Sequence, residues 1–210
     1  MGKAITRIVL GLAIASGSLG MAGSAHATVW RNRANESFCL STGNNGSMSP
    51  GTGLIIWKCN TDLGKPVADQ DWGQVSAPWD SSFSYFSLYN TRVPATPPPF
   101  NANTRCAGTK GGWFDNGTQI IIASCSPANA ISHDQGFHLF NQGLDSNRHQ
   151  CYSFFNEMSF ENPSDPDHIT QRVFGVSGGS MTNGSAVILW DYFKDSTGHS
   201  THPDQIWCAY

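Results

Sequence analysis

The sequence predicts an all-β domain built from three copies of one short unit. Three observations predict it: an internal repeat, a turn-rich composition without helical periodicity, and an even number of cysteines behind an export signal. The repeat decides the architecture. Gly51-Thr52-Gly53-Leu54-Ile55-Ile56-Trp57-Lys58-Cys59 matches Gly117-Thr118-Gln119-Ile120-Ile121-Ile122-Ala123-Ser124-Cys125, and both match Gly184-Ser185-Ala186-Val187-Ile188-Leu189-Trp190-Asp191-Tyr192, with starts 66 and 67 residues apart.

Each copy is preceded by a strand-like segment: Ser37-Phe38-Cys39-Leu40, Thr104-Arg105-Cys106-Ala107 and Gln171-Arg172-Val173-Phe174. Each is followed by an Asp-Gln-x-aromatic element: Asp69-Gln70-Asp71-Trp72, Asp134-Gln135-Gly136-Phe137 and Asp204-Gln205-Ile206-Trp207. A fourth strand aligns Phe86-Ser87-Leu88-Tyr89-Asn90 with Phe137-His138-Leu139-Phe140-Asn141, and the first copy takes its version from Val29-Trp30-Arg31-Asn32. Four short strands per copy, parted by turns such as Asn116-Gly117 and Asn183-Gly184, make about twelve strands that no copy can bury alone, so the three share a core. Within the matched segments Leu54 and Ile56, Ile120 and Ile122, and Val187 and Leu189 alternate toward that core at the two-residue period of a strand.

Residues 1–27 read as a cleaved signal peptide: Lys3 and Arg7 form a basic start, Ile8 to Ala15 an apolar stretch, and Ala25-His26-Ala27 a small-x-small cleavage site. Gly11, Ser16, Gly17, Ser18 and Gly20 hold the apolar run below the roughly 18 residues of a membrane span. The protein is therefore expected outside the cytoplasm, extracellular or periplasmic, as a single domain over residues 28–210, with no membrane span after cleavage. Without Lys3 and Arg7 there are 10 basic residues against 15 acidic ones and no run of like charges, which excludes nucleic acid as a partner. All six cysteines lie in the mature part, so three disulfides are expected in an oxidising compartment.

A strand with a first Cys, a Gly-(Ser/Thr) turn, an apolar triplet ending in an aromatic, a second Cys and a Gln-x-Trp, three times over, resembles the ricin-B-type lectin family. The resemblance implies a β-trefoil, with repeats at about 28–72, 73–137 and 138–210 and insertions near 91–103 and 145–170. It makes Trp72, Phe137 and Trp207 core residues and has Gln70, Gln135 and Gln205 fix a turn. It also pairs Cys39 with Cys59 and Cys106 with Cys125, each loop worth about 3 kcal/mol. The third copy has Val173 and Tyr192 in those places, which leaves Cys151 and Cys208 for each other.

In that family a sugar is held by an Asp two residues after the first Cys, an aromatic two before the second, and an Asp or Asn before Gln-x-Trp. The corresponding residues are Ser41, Trp57 and Asp69 in the first copy, Gly108, Ala123 and Asp134 in the second, and Gly175, Trp190 and Asp204 in the third. The first Asp is absent throughout, and Ile55, Ile121 and Ile188 stand where the family often places a polar residue. Trp57 and Trp190 keep the stacking face that a sugar ring needs, so Ser41, Trp57, Asp69, Gly175, Trp190 and Asp204 are the candidate carbohydrate-binding residues. The three Asp residues recur even beside Ala123, which suits a turn-stabilising role as well as a ligand. Pro94, Pro97, Pro98, Pro99 and Phe100 in one insertion, and Phe154, Phe155, Met158 and Phe160 in the other, form either a second binding patch or a small satellite core.

Other motifs carry less. Gly175-Val176-Ser177-Gly178-Gly179 fits a hydrolase nucleophile elbow, but a hairpin of the repeat accounts for it and no helix follows. His199 and His202 near Asp195 and Asp204, and Asp165-Pro166-Asp167-His168, lie in loops without metal-ligand spacing, so no metal and no cofactor is expected. Sequons at Asn35, Asn45, Asn116 and Asn183 matter only in a glycosylating host. With no acid/base pair or nucleophile, the expectation is a non-catalytic module that binds glycans or glycoconjugates. The alternative is a targeting subunit that also grips a catalytic protein partner, as in the ricin-like subunits of cytolethal distending toxins.

Overall fold

The computed structural model describes residues 28–60, 68–76, 86–92, 103–126, 132–157 and 171–210. The expected signal peptide, the Pro94–Phe100 segment, Met158, Phe160 and Asp165–His168 lie outside them. Twelve strands follow in chain order: β1 (Trp30–Asn32), β2 (Phe38–Thr42), β3 (Leu54–Lys58), β4 (Trp72–Ser76), β5 (Phe86–Asn90), β6 (Arg105–Thr109), β7 (Ile120–Ser124), β8 (Phe137–Leu144), β9 (Gln150–Asn156), β10 (Arg172–Val176), β11 (Val187–Asp191) and β12 (Trp207–Ala209). Among the described residues no helix is long and apolar enough to cross a membrane.

All named pairings are antiparallel. β1, β12, β9, β8, β5 and β4 form a ring, closed by a bridge between Thr28 and Trp72. Three hairpins, β2–β3, β6–β7 and β10–β11, cap it. This is a β-trefoil. The hairpins close on one another through the Gly-(Ser/Thr) turns, each of which docks on the next hairpin. Ile122 N donates to Thr52 O, Leu189 N to Thr118 O and Ile56 N to Ser185 O, at 2.7, 2.8 and 2.9 Å. Gly51, Gly117 and Gly184 turn there at φ 89°, 85° and 88°, a region costly for residues with a Cβ.

The six alternating residues Leu54, Ile56, Ile120, Ile122, Val187 and Leu189 are all fully buried, as are Trp72, Phe137 and Trp207. Each aliphatic side chain contributes about 1.5–3 kcal/mol by leaving water. Trp72 Nε1 and Trp207 Nε1 donate to the carbonyls of Leu40 and Phe174, so the indoles bury no unpaired donor.

Two expectations change. Segments 86–90 and 137–141 do not occupy the same place in the repeat; they are partners, Phe86 facing Phe137. They begin and end the second set of four strands, and the counterpart of β5 is β9. Both are barrel strands that open on a buried Phe and carry a second aromatic, and a two-residue period cannot tell a first strand from a last one. The region from 145 to 170 is correspondingly not all insertion, because β9 pairs with β8, β12 and β10. Phe154 belongs to the main core, 4.8 Å from Trp30 and 5.3 Å from Phe174 between ring centroids, and Phe155 is buried too. Neither contributes to a surface patch; Phe155 packs outside the main core, edge-on to Phe140 and Tyr192 at 5.9 and 4.6 Å between centroids.

The disulfides join Cys39 to Cys59, Cys106 to Cys125 and Cys151 to Cys208, and none of the six is free. Cys151 and Cys208 face each other directly across β9 and β12.

Candidate functional site

Because Leu54 and Ile56 point inward, Ile55 and Trp57 point outward from β3, and the same alternation turns Trp190 outward from β11. Trp57 and Trp190 are 44 % and 41 % exposed, unusual for so large a ring on a strand. Each ring rests against the turn glycine of another hairpin: Trp57 beside Gly184, Trp190 beside Gly117. Behind them Lys58 N donates to Asn183 Oδ1 at 2.9 Å, and Asn116 Nδ2 to Asp191 Oδ2 at 2.7 Å. The turns that lock the trefoil therefore also support the aromatic faces.

The carboxylates reach the same places through the neighbouring glutamines. Gln70 Nε2 donates to Lys58 O and Gln70 Oε1 accepts from Asn60 N, at 3.0 and 2.9 Å. Gln135 bridges Ser124 and Ser126 in the same way, and Gln205 bridges Asp191 and Phe193. Each glutamine is buried and clamps the chain just past the outward position of Trp57, Ala123 or Trp190, which fixes the preceding Asp beside it.

Ser41, Trp57 and Asp69 meet in a cavity of about 580 Å³, with Asn44, Asn45, Ile55 and Gln119 also on its walls. Ser41 Oγ donates to Asp69 Oδ2 at 2.6 Å, and Arg92 Nη1 donates to Gly46 O beside Asp69. Trp190 and Asp204 meet in a second cavity of about 500 Å³, together with Ile188, Phe193 and His202. Gly175 is buried close to both: a Cβ there would lie 3.5 Å from Asp204 Oδ2 and 3.8 Å from Trp190 Cβ. In the second unit Gly108 lies under Asp134 and Ala123 in the same arrangement, but Ala123 supplies no ring and Ser132 Oγ donates to the Asp134 carboxylate.

Phe193, His202, Asn44, Asn45 and Arg92 were not among the expected site residues. Phe193 follows Trp190 by three positions and His202 precedes Asp204 by two, but both sit in a Ser/Thr/Gly loop whose composition hides which side it faces. The His199 side of that loop binds itself: Asp195 Oδ1 accepts from Thr197 Oγ1, Thr197 N and His199 N, which lowers the Asp195 pKa. Gly175 to Gly179 is a hairpin, with Gly178 and Gly179 at φ 63° and 64°. It offers no strand-to-helix turn for Ser177.

A further cavity of about 770 Å³ lies beside the β1–β2 turn, lined by Arg31, Arg33, Glu36 and Lys58. Next to it Tyr210 stacks on His149, lies under Arg31 and donates to Asp145 Oδ2 at 2.5 Å. Burial pushes the Asp145 carboxyl up, but the Tyr210 hydroxyl, the His149 backbone and ring, and the Asn147 backbone outweigh it and hold Asp145 at about 2. Burial, then the bond to Asp145, raises Tyr210 to about 12.

No protein-family model matches the chain, and no curated protein is similar to it in sequence. Solved structures are similar in fold. A designed three-fold symmetric protein, ThreeFoil, superposes with a TM-score of 0.57 at 17 % identity, over 87 % of this chain and 96 % of that one. The Rhizoctonia solani agglutinin gives 0.52 at 13 % identity, over 90 % and 96 %. A Polyporus squamosus lectin, solved with a human-type influenza-binding epitope, gives 0.52 at 11 % identity over 89 % of this chain and 49 % of that one. A mosquitocidal holotoxin gives 0.54 at 17 % identity, and the match spans only 17 % of its length.

Proposed function

We propose that the protein is an exported, non-catalytic carbohydrate-binding module of the ricin-B type, with one glycan pocket at Ser41, Trp57 and Asp69 and another at Gly175, Trp190 and Asp204. The observation that carries this is the pairing, twice, of a half-exposed indole with a half-buried carboxylate in an open cavity. A sugar needs a flat apolar face for its C–H side and fixed acceptors for its hydroxyls, and little else. Fold likeness to an agglutinin and a lectin supports the reading without assigning a sugar. Glycan-array binding that disappears in a Trp57→Ala, Trp190→Ala double variant with an unchanged melting curve is the expected result; unchanged binding refutes the assignment.

A second reading is a binding subunit of a multi-component toxin, favoured by the likeness to one part of the mosquitocidal holotoxin. Co-purification from the native source with a catalytic protein distinguishes it from a free lectin.

A further inference from the structure

The two pockets differ in charge chemistry, and the difference points to different ligands. In the third unit Trp190 and Phe193, 41 % and 40 % exposed, line one cavity with His202 and Asp204. The Phe193 and His202 rings lie 4.4 Å apart between centroids at 33°, so they make one aromatic wall facing the cavity. Asp204 is half-buried, and its backbone is pinned by Asn32 Nδ2 donating to its carbonyl at 2.9 Å. Among the described residues no group donates to its carboxylate. The equivalent carboxylates are engaged, Asp69 by Ser41 Oγ and Asp134 by Ser132 Oγ, and Arg92 adds a guanidinium close to Asp69. At the Ser41 position the third unit has Gly175, which leaves the Asp204 oxygens open toward the cavity.

A carboxylate partly withdrawn from water and lacking donors attracts a cation, and the faces of Trp and Phe beside it attract the same cation through their quadrupoles. We infer that the third pocket selects ligands bearing a positively charged amine, an amino sugar among glycans, whereas the first pocket takes neutral ones. This deepens the glycan-binding reading and rests on it.

The test is a titration, followed by indole fluorescence or NMR, of the Trp57→Ala variant with glucosamine, glucose, N-acetylglucosamine and tetramethylammonium. It is run at about pH 7 and low ionic strength, where the glucosamine amine is still largely protonated. Glucosamine is expected to bind about tenfold more tightly than glucose or N-acetylglucosamine, and Asp204→Asn to remove about that factor while the melting curve stays in place. Phe193→Ala weakens tetramethylammonium and glucosamine together. Equal affinity for glucosamine and glucose, or an Asp204→Asn variant that keeps the preference, overturns the charge selectivity and leaves glycan binding standing. Binding of no sugar, neutral or charged, overturns the glycan reading itself; tetramethylammonium binding that depends on Asp204 still upholds a cation pocket in that case.

Discussion

The first and third pockets are built on the same scaffold and finished differently. In both, an outward indole rests on another hairpin's turn glycine and a clamped glutamine presents an Asp beside it. In the first, a serine hydroxyl occupies the carboxylate and an arginine stands close by; in the third, a glycine replaces the serine and a second aromatic wall replaces the arginine. The repeat preserves what holds the fold and varies what faces the pockets. Experiments can strain the shared part and the differing part separately.

The shared part should fail alike in both units. Ile56→Asp and Leu189→Asp each place a charge in a fully buried core position, at a cost above about 4 kcal/mol, a large share of the roughly 5–15 kcal/mol that holds a domain. Loss of the cooperative thermal transition in both variants is expected. Survival of one would mean that the units do not share a core equally.

The staples should not fail alike. Replacing Cys39 and Cys59 together by Ser is expected to cost about 3 kcal/mol, read as a fall in the denaturant midpoint. The third unit has no such bridge, because Val173 and Tyr192 stand in its place. Tyr192 instead donates to Gly198 O and accepts from Gln142, both at 2.7 Å. Tyr192→Phe removes two hydrogen bonds at about 1 kcal/mol each, so it should cost about 2 kcal/mol, less than the double cysteine variant.

Acid separates the two kinds of staple further. The Asp145 carboxyl sits at about 2, below the ordinary value near 4, so it binds fewer protons folded than unfolded. Its contribution is complete above the unfolded value and is lost as pH falls from about 4 through about 2. Tyr210 has the opposite shift, so its contribution is complete below about 10 and lost as pH rises through about 12. Asp145→Asn is expected to lower stability by about 2 kcal/mol at neutral pH and to flatten the acid limb of the stability curve. An unchanged acid midpoint would remove Asp145 as the anchor of the C-terminal residue.

Much of this scaffold was legible from the sequence, because core and turns repeat. A glycine at three matched positions, an apolar alternation beside it and a Gln-x-aromatic after it recur at near-constant spacing, and each has a local cause: a positive φ, a strand period, a side-chain clamp. What the repeat does not mark by a distinct residue pattern is not legible. β9, Gln150–Asn156, is hidden inside an apparent insertion because its counterpart β5 resembles Phe137–Asn141 more closely in sequence, although that segment is the last strand of its unit. The repeat positions of Trp57 with Asp69 and of Trp190 with Asp204 are enough to predict that each pair shares a cavity. Phe193 and His202 are not predicted this way, since a loop has no period from which to read the direction of a side chain. Arg92, two residues past β5, bonds to the Gly46 carbonyl on the wall of the first pocket, a long-range contact that no local pattern encodes.

The smallest predicted effect tests the difference between the pockets most directly, by exchanging the residue that creates it. A Cβ at Gly175 meets nothing closer than 3.5 Å, so Gly175→Ser fits, and its hydroxyl can reach Asp204 as Ser41 reaches Asp69. The variant should keep its melting temperature and lose about tenfold in affinity for glucosamine, about 1.4 kcal/mol, while neutral glycans held at Trp57 are unaffected. The reverse change, Ser41→Gly, frees Asp69 but leaves Arg92 beside it, and should raise amine affinity at the first pocket by only a few-fold. Equal gains and losses in the two exchanges would assign the whole difference to the serine. A loss at the third pocket without a matching gain at the first would assign the remainder to Arg92 and to the Phe193–His202 wall, since those are what the exchange leaves in place.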